Sequence, residues 1–298
     1  MLVVSDAAAL ALSVVAGLVV APFLTALIEQ VPAKRPIRWP SPAAHPPILY
    51  WVREPADRSL GSEVAGSRPR AHPGSGGAAA DEAVDEGDRG SDAGEDAVDV
   101  DAEPEARIGP LPRSWGLATE ILSPVLFALA VVRFGPSWVV VPFCVLFAAL
   151  LVVSVIDIQH YRIPDRVVFP ALAISLPLIV VVSVGLDHPR SITYALIGAA
   201  VYFLLLFLAH LVYPAGMGFG DVKLALLMGL FLGWIAPDGV RAFTLVLYAL
   251  MVGCLLGVLV GGVLALVRRK NAAFPFGPAL AASTVLAVLF SEQLLGTG

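Results

Sequence analysis

A run of about 20 consecutive apolar residues leaves a polypeptide few options, because as a helix it is long enough to cross the roughly 30 Å hydrocarbon core of a bilayer. This 298-residue chain holds eight such runs, near 7–29, 116–134, 138–157, 167–186, 191–213, 222–236, 240–267 and 278–295. The sixth is short and the seventh long. Composition points the same way: 58% of the residues are apolar and 14% charged, against about 25% charged in a soluble domain. Such a chain cannot clothe a water-exposed surface. The pattern predicts an all-α, polytopic membrane bundle of about eight transmembrane helices. The first run lacks a basic leader region, with Asp6 its only early charge, and is long for a cleaved signal, so it reads as a retained anchor.

The charge is unevenly spread. Residues 34–113 hold ten basic and fifteen acidic side chains, which accounts for the whole formal net charge of −5. Pro32, Pro36, Pro40, Pro42, Pro46 and Pro47 break any helix at the start of this stretch, and twelve acids lie between Asp81 and Glu105. Low hydrophobicity with high charge predicts a disordered acidic loop that acts as a solvated tether. The expected organisation is a first anchor (1–33), this loop (34–113) and a transmembrane core (114–298). Arg162, Arg166, Lys223, Arg268, Arg269 and Lys270, together with Lys34, Arg35 and Arg38, fall on one side of the predicted membrane, and only Arg133, Arg190 and Arg241 on the other. An excess of basic residues in short loops marks the cytoplasmic side, so the first side is read as cytoplasmic and both termini as outside. With no dense basic patch, nucleic acid is not an expected partner. The two cysteines, Cys144 and Cys254, lie in apolar runs, so neither a disulfide framework nor a cysteine zinc site is expected.

In so uncharged a chain the acids at helix ends are informative, since an ionisable group at membrane depth costs roughly 2.5–3.5 kcal/mol on insertion scales. Two loops on the cytoplasmic side concentrate them. The first runs Asp157-Ile158-Gln159-His160-Tyr161-Arg162-Ile163-Pro164-Asp165, in which Asp157 closes the third run and Asp165 stands where a helix is capped. The second contains Gly216-Met217-Gly218-Phe219-Gly220-Asp221-Val222-Lys223. Its glycines permit positive φ or close approach of a backbone. From spacing alone two readings stand. Asp157 and Asp221 can be a solvated helix end and a helix cap, or they can meet. Two adjacent carboxyls do not both ionise readily, so one keeps a proton while the other activates water, which suits peptide hydrolysis without a serine or cysteine nucleophile.

The joint pattern resembles the type IV prepilin peptidases, GxGD-type aspartic proteases of the bacterial inner membrane. Asp157 through Ile163-Pro164-Asp165 and Gly218-Phe219-Gly220-Asp221-Val222-Lys223 match the two family motifs in order. Pro275-Phe276-Gly277-Pro278 is similar to the family's C-terminal segment. Weaker similarity touches Ala21-Pro22-Phe23-Leu24-Thr25-Ala26 and Leu117-Ala118-Thr119-Glu120-Ile121-Leu122. The resemblance implies that Asp157 and Asp221 are the catalytic pair of an endopeptidase. Its substrate would be a prepilin or pilin-like precursor, cut between a short basic leader and an apolar helix. Gly218, Gly220, Pro164, Asp165 and Lys223 are then supporting residues. Asp165 is expected to cap the fourth helix or bind Arg166. Lys223 is read as tuning the pair, meeting a substrate acid, or snorkelling to the interface. The peptidase reaction implies no cofactor. Many members also methylate the product with S-adenosylmethionine and carry paired cytoplasmic CxxC motifs between the first two spans; this chain has no cysteine there, which leaves methylation open.

Glu29, ending the first run, is either a holder of the basic leader or a solvated helix end. Glu120 is read as a structural hydrogen bonder, His160 as no metal ligand, and His210 as a packing histidine. Two other classes of function compete. A transporter or proton relay would need carboxylates near the bilayer midplane, and a non-catalytic pilus or secretion assembly factor would not need an intact Asp pair.

Overall fold

The computed structural model describes residues 6–32, 113–213, 218–268 and 275–296. These form nine helices: α1 Asp6–Gln30, α2 Arg113–Phe134, α3 Val140–His160, α4 Asp165–Gly185, α5 Arg190–Val212, α6 Phe219–Trp234, α7 Gly239–Arg268, α8 Gly277–Leu289 and α9 Ser291–Leu295. The chain divides into two units, one of Met1–Leu49 with Pro110–Gly298 and one of Tyr50–Gly109. The second unit lies outside the described residues, as do Lys34, Arg35, Arg38, Arg269, Lys270, Gly216 and the acidic tract.

Each of the first seven apolar runs is a helix and the eighth is two, α8 and α9, and the class is a polytopic helical membrane protein. Six of the helices (α1 to α5 and α7) are long and apolar enough to cross a bilayer. The other two runs give shorter apolar helices, consistent with a bundle of about eight. Helix α6 has 16 residues and α8 has 13, so at 1.5 Å per residue they rise about 24 and 20 Å, short of a full hydrocarbon core. Burial explains why α6 is nevertheless apolar from Leu224 onward: twelve of its sixteen residues are buried inside the protein. It is a central helix, sheathed by others. Helices α5 and α7 show the opposite pattern. On α7, Met251, Leu255, Val258 and Leu259 are exposed, and on α5 so are Leu204, Leu208 and Leu211, an apolar surface that suits hydrocarbon and not water.

Small residues let α6 sit this deep. A Cβ placed on Gly198 of α5 would lie 2.7 Å from the Gly233 Cα, and one on Gly229 would lie 2.9 Å from the Ala199 Cα. The two backbones are therefore in direct contact, as small-x-x-x-small pairs allow between membrane helices. Gly17 of α1 abuts Pro124 of α2 in the same way, and the Ser123 hydroxyl donates to the Gly17 carbonyl at 2.8 Å. At the far end of α6, Phe143 stacks on Phe134 (4.2 Å between centroids) and Trp234 (5.5 Å), while the Trp234 indole N–H donates to Ser183 at 2.8 Å. This aromatic knot fixes one end of α2, α3, α4 and α6. The opposite end of the same helices carries the acids.

Candidate active site

Helix α3 ends one turn after Asp157. Tyr161 takes the left-handed conformation (φ 51°), and its N–H donates to the Asp157 carbonyl at 2.8 Å. Few non-glycine residues stand there, and the turn that results throws the next residues away from the helix axis. Pro164 then confines Ile163 to extended backbone and is itself extended (φ −80°, ψ 130°) before α4 begins. The Asp157 side chain is 5% exposed. Its Oδ2 accepts the Gly277 N–H at 3.0 Å. That N–H is one of the first in α8, which lack intrahelical acceptors, so the positive end of α8 faces the carboxyl.

Asp221 is the third residue of α6, and Gly218 is the N-cap (φ −69°, ψ 142°). The Asp221 N–H donates to the Gly218 carbonyl at 3.1 Å, and the Gly218 N–H donates back to the Asp221 carboxyl. This is half of a capping box, with an acid at the N3 position reaching the N-cap amide. The capping alternative read from sequence is therefore real, but it uses only part of the side chain. Asp221 is 6% exposed and its Oδ1 is buried with no hydrogen-bond partner. Asp157 and Asp221 interact electrostatically. A buried carboxylate oxygen left without a donor is costly, and folds rarely keep one without a use.

Ile163 joins the two halves. It is buried, and a Cβ on Gly220 would lie 2.8 Å from the Ile163 Cβ, while one on Gly277 would lie 3.3 Å from the Ile163 Cδ1 and 2.8 Å from Asp157 Oδ2. Gly220 and Gly277 thus serve close approach, and Gly218 an ordinary extended cap; positive φ plays no part at any of the three.

Asp165 does not cap α4: the N-cap is Pro164, without a side-chain cap bond, and Asp165 is the first helical residue. Both of its oxygens take Lys223 instead, at 2.8 Å each. Lys223 lies between the rings of Phe219 (5.2 Å) and Phe169 (5.6 Å). Glu29 falls in the last turn of α1, partly buried, on a helix that packs against α2 and α3. Glu120 is buried in α2 with one oxygen, Oε2, lacking a partner, so a fully satisfied structural hydrogen bonder is not what it is. His160 ends α3 with a buried, unpartnered Nδ1, and His210 packs on the Phe219 ring at 5.6 Å. Among the described residues no three His, Cys, Asp or Glu side chains are grouped as a metal site would need.

Two positions that hold the site were not singled out from sequence. Gly277 acts through a backbone N–H, which leaves no side-chain signature, although the Pro275–Pro278 segment marked its neighbourhood. Ile163 stood in the sequence as a motif residue before Pro164, with no role of its own assigned.

Fold and site together define a multi-pass helical membrane protein with two interacting, buried aspartic acids at one end of its bundle. Residues 144–266 match the type IV leader peptidase family. The chain is 33% identical over 181 residues to a prepilin leader peptidase/N-methyltransferase of Bacillus subtilis, covering 60% of this chain and 67% of that protein. It is 31% identical over 188 residues to the protein of that name in Pseudomonas aeruginosa (60% and 59% covered) and 30% over 170 residues to that of Stutzerimonas stutzeri (54% of each). The chain spans between about half and two thirds of the length of these relatives. No solved structure matches it significantly. The chain belongs to the type IV leader peptidase family.

Proposed function

We propose that this protein is an aspartic-type endopeptidase that removes the leader from prepilin or pilin-like precursors. The observation that supports the reading is that Asp157 and Asp221, both buried, are close enough to interact electrostatically, in a member of a leader peptidase family. The reaction asks for one ionised and one protonated carboxyl. The ionised one takes a proton from water as the water attacks the scissile carbonyl, and the protonated one donates a hydrogen bond to the carbonyl oxygen as it gains charge. The resulting diol collapses with a proton passed to the leaving amine. Which Asp plays which part belongs to the pair and not to either residue. Oδ1 of Asp221, buried and without a protein donor, is the atom that a bound water or substrate would satisfy.

The substrate's apolar helix is confined to the same bilayer as the enzyme, which supplies part of the orientation that a soluble protease obtains from a cleft. The leader would be cut at the cytoplasmic boundary of the inner membrane, with Glu29 as a candidate holder of its basic residues. Neither alternative function is favoured by the family match. The relatives' names also include N-methyltransferase. The cysteines that mark many such members are missing between α1 and α2.

The test is Asp157→Asn and Asp221→Asn, made separately and expressed in membranes with a tagged precursor. Asn keeps the shape and removes the titratable proton. Each variant should lose leader cleavage by at least about a hundredfold, the lower bound for removing an acid–base group, at unchanged protein level. Full cleavage by either one would exclude the dyad.

A further inference from the structure

The Lys223–Asp165 ion pair lies outside the reacting atoms, yet it closes a ring of contacts that includes Asp221. Lys223 follows Asp221 by two residues on α6, and Asp165 follows Ile163 by two at the start of α4. Ile163 is pressed against Gly220, the residue before Asp221. Starting from Asp221, the ring therefore runs through Gly220, Ile163 and Asp165 to Lys223 and back to Asp221. The rings of Phe219 on α6 and Phe169 on α4 flank the ammonium, so one cation engages both helices. The side chains are 23% exposed for Lys223 and 54% for Asp165. A pair this open to water adds little to global stability. What it can do is fix where the first turn of α6 stands relative to the 161–165 turn, and with it where Asp221 stands relative to Asp157.

We propose that Lys223 and Asp165 are positioning residues that hold Asp221 against Asp157, and that Lys223 does not contact the substrate. This rests on the peptidase reading for its kinetic consequence, though not for its structural one. On that basis Lys223→Met and Asp165→Asn should lower kcat on a tagged precursor by about ten- to a hundredfold, as expected when reacting groups are misplaced by about 1 Å, with KM changed less than about twofold. Lys223→Arg, which can still grip both oxygens, should keep kcat within about threefold of the parent. The reversal Asp165→Lys with Lys223→Asp should recover at least about tenfold over either single reversal, since paired charges couple. In the detergent-solubilised protein, amide exchange over residues 161–165 and 218–223 should quicken in Lys223→Met and return toward the parent rate in the reversed pair.

A rise in KM at constant kcat would assign Lys223 to the substrate and overturn the proposal. So would a reversed pair without recovery, or unchanged exchange in Lys223→Met. Exchange does not need a substrate, so it decides this inference even if the parent protein cuts no precursor, an outcome that would instead remove the peptidase reading.

Discussion

At the scale of single residues, the site depends on atoms that carry no charge. Gly277 shows this most directly: a methyl group there would sit 2.8 Å from Oδ2 of Asp157, 3.3 Å from its Cγ and 3.3 Å from the Ile163 Cδ1. The carboxyl is hemmed in by its own helix and by Ile163, so it must give way and lengthen the 3.0 Å bond from the Gly277 amide. Gly277→Ala should therefore reduce kcat by about tenfold or more through misplacement of one reacting group, with the protein still folded, as initial rates at matched protein levels would show. Unaltered rates would mean that the α8 amide does not orient Asp157. The acids themselves were legible in the sequence because a carboxylate is rare in an apolar run and costly at membrane depth. Their supports were not. The Gly277 amide is 120 residues from Asp157, and Asp165 finds Lys223 across 58 residues. Local spacing offered Asp165 only a cap or a neighbouring arginine.

At the scale of elements, the informative helix is α6. Apolar runs announced every helix and its order, because hydrocarbon and protein interior select the same side chains. For the same reason they could not separate a helix facing lipid from one facing other helices. Burial is the physical discriminant, and α6, with twelve of its sixteen residues buried, falls on the protein side of it. Its glycines then become intelligible as contact points. A Cβ on Gly233 would lie 2.9 Å from the Tyr194 carbonyl carbon and 3.0 Å from the Ala195 Cα. Both atoms are α5 backbone, which cannot rotate aside as a side chain can. Gly233→Leu should force α5 and α6 apart and destabilise the bundle by about 1–3 kcal/mol, the usual cost of overpacking. Thermal unfolding in detergent would register it as a lower midpoint. Gly262, whose Cβ would meet nothing within 4 Å, supplies the control: Gly262→Ala should leave the midpoint unchanged or raise it slightly, as alanine favours helix over glycine.

At the scale of the whole molecule, the antiparallel run of α2 to α8 sorts the turns into two sets. Residues 161–164, the start of α6 and the start of α8 come together at the dyad end, while 135–139, 186–189 and 235–238 lie at the other end. The chemistry requires the first set to face the compartment in which the precursor's basic leader resides. Basic residues bias short loops toward the cytoplasm. Arg162, Arg166 and Lys223 belong to the dyad end together with Arg268, Arg269 and Lys270 in sequence, against Arg133, Arg190 and Arg241 at the other. Single cysteines read the arrangement directly, once Cys144 and Cys254 are replaced by alanine. Trp138 is 78% exposed at one end and Tyr161 47% exposed at the other, so both positions are reachable by a membrane-impermeant maleimide if the membrane does not intervene. Trp138→Cys should label in intact cells, and Tyr161→Cys only after the membrane is opened. The reverse pattern would put the aspartic pair on the outer face, where no leader awaits cleavage, and the dyad would have to serve some other substrate.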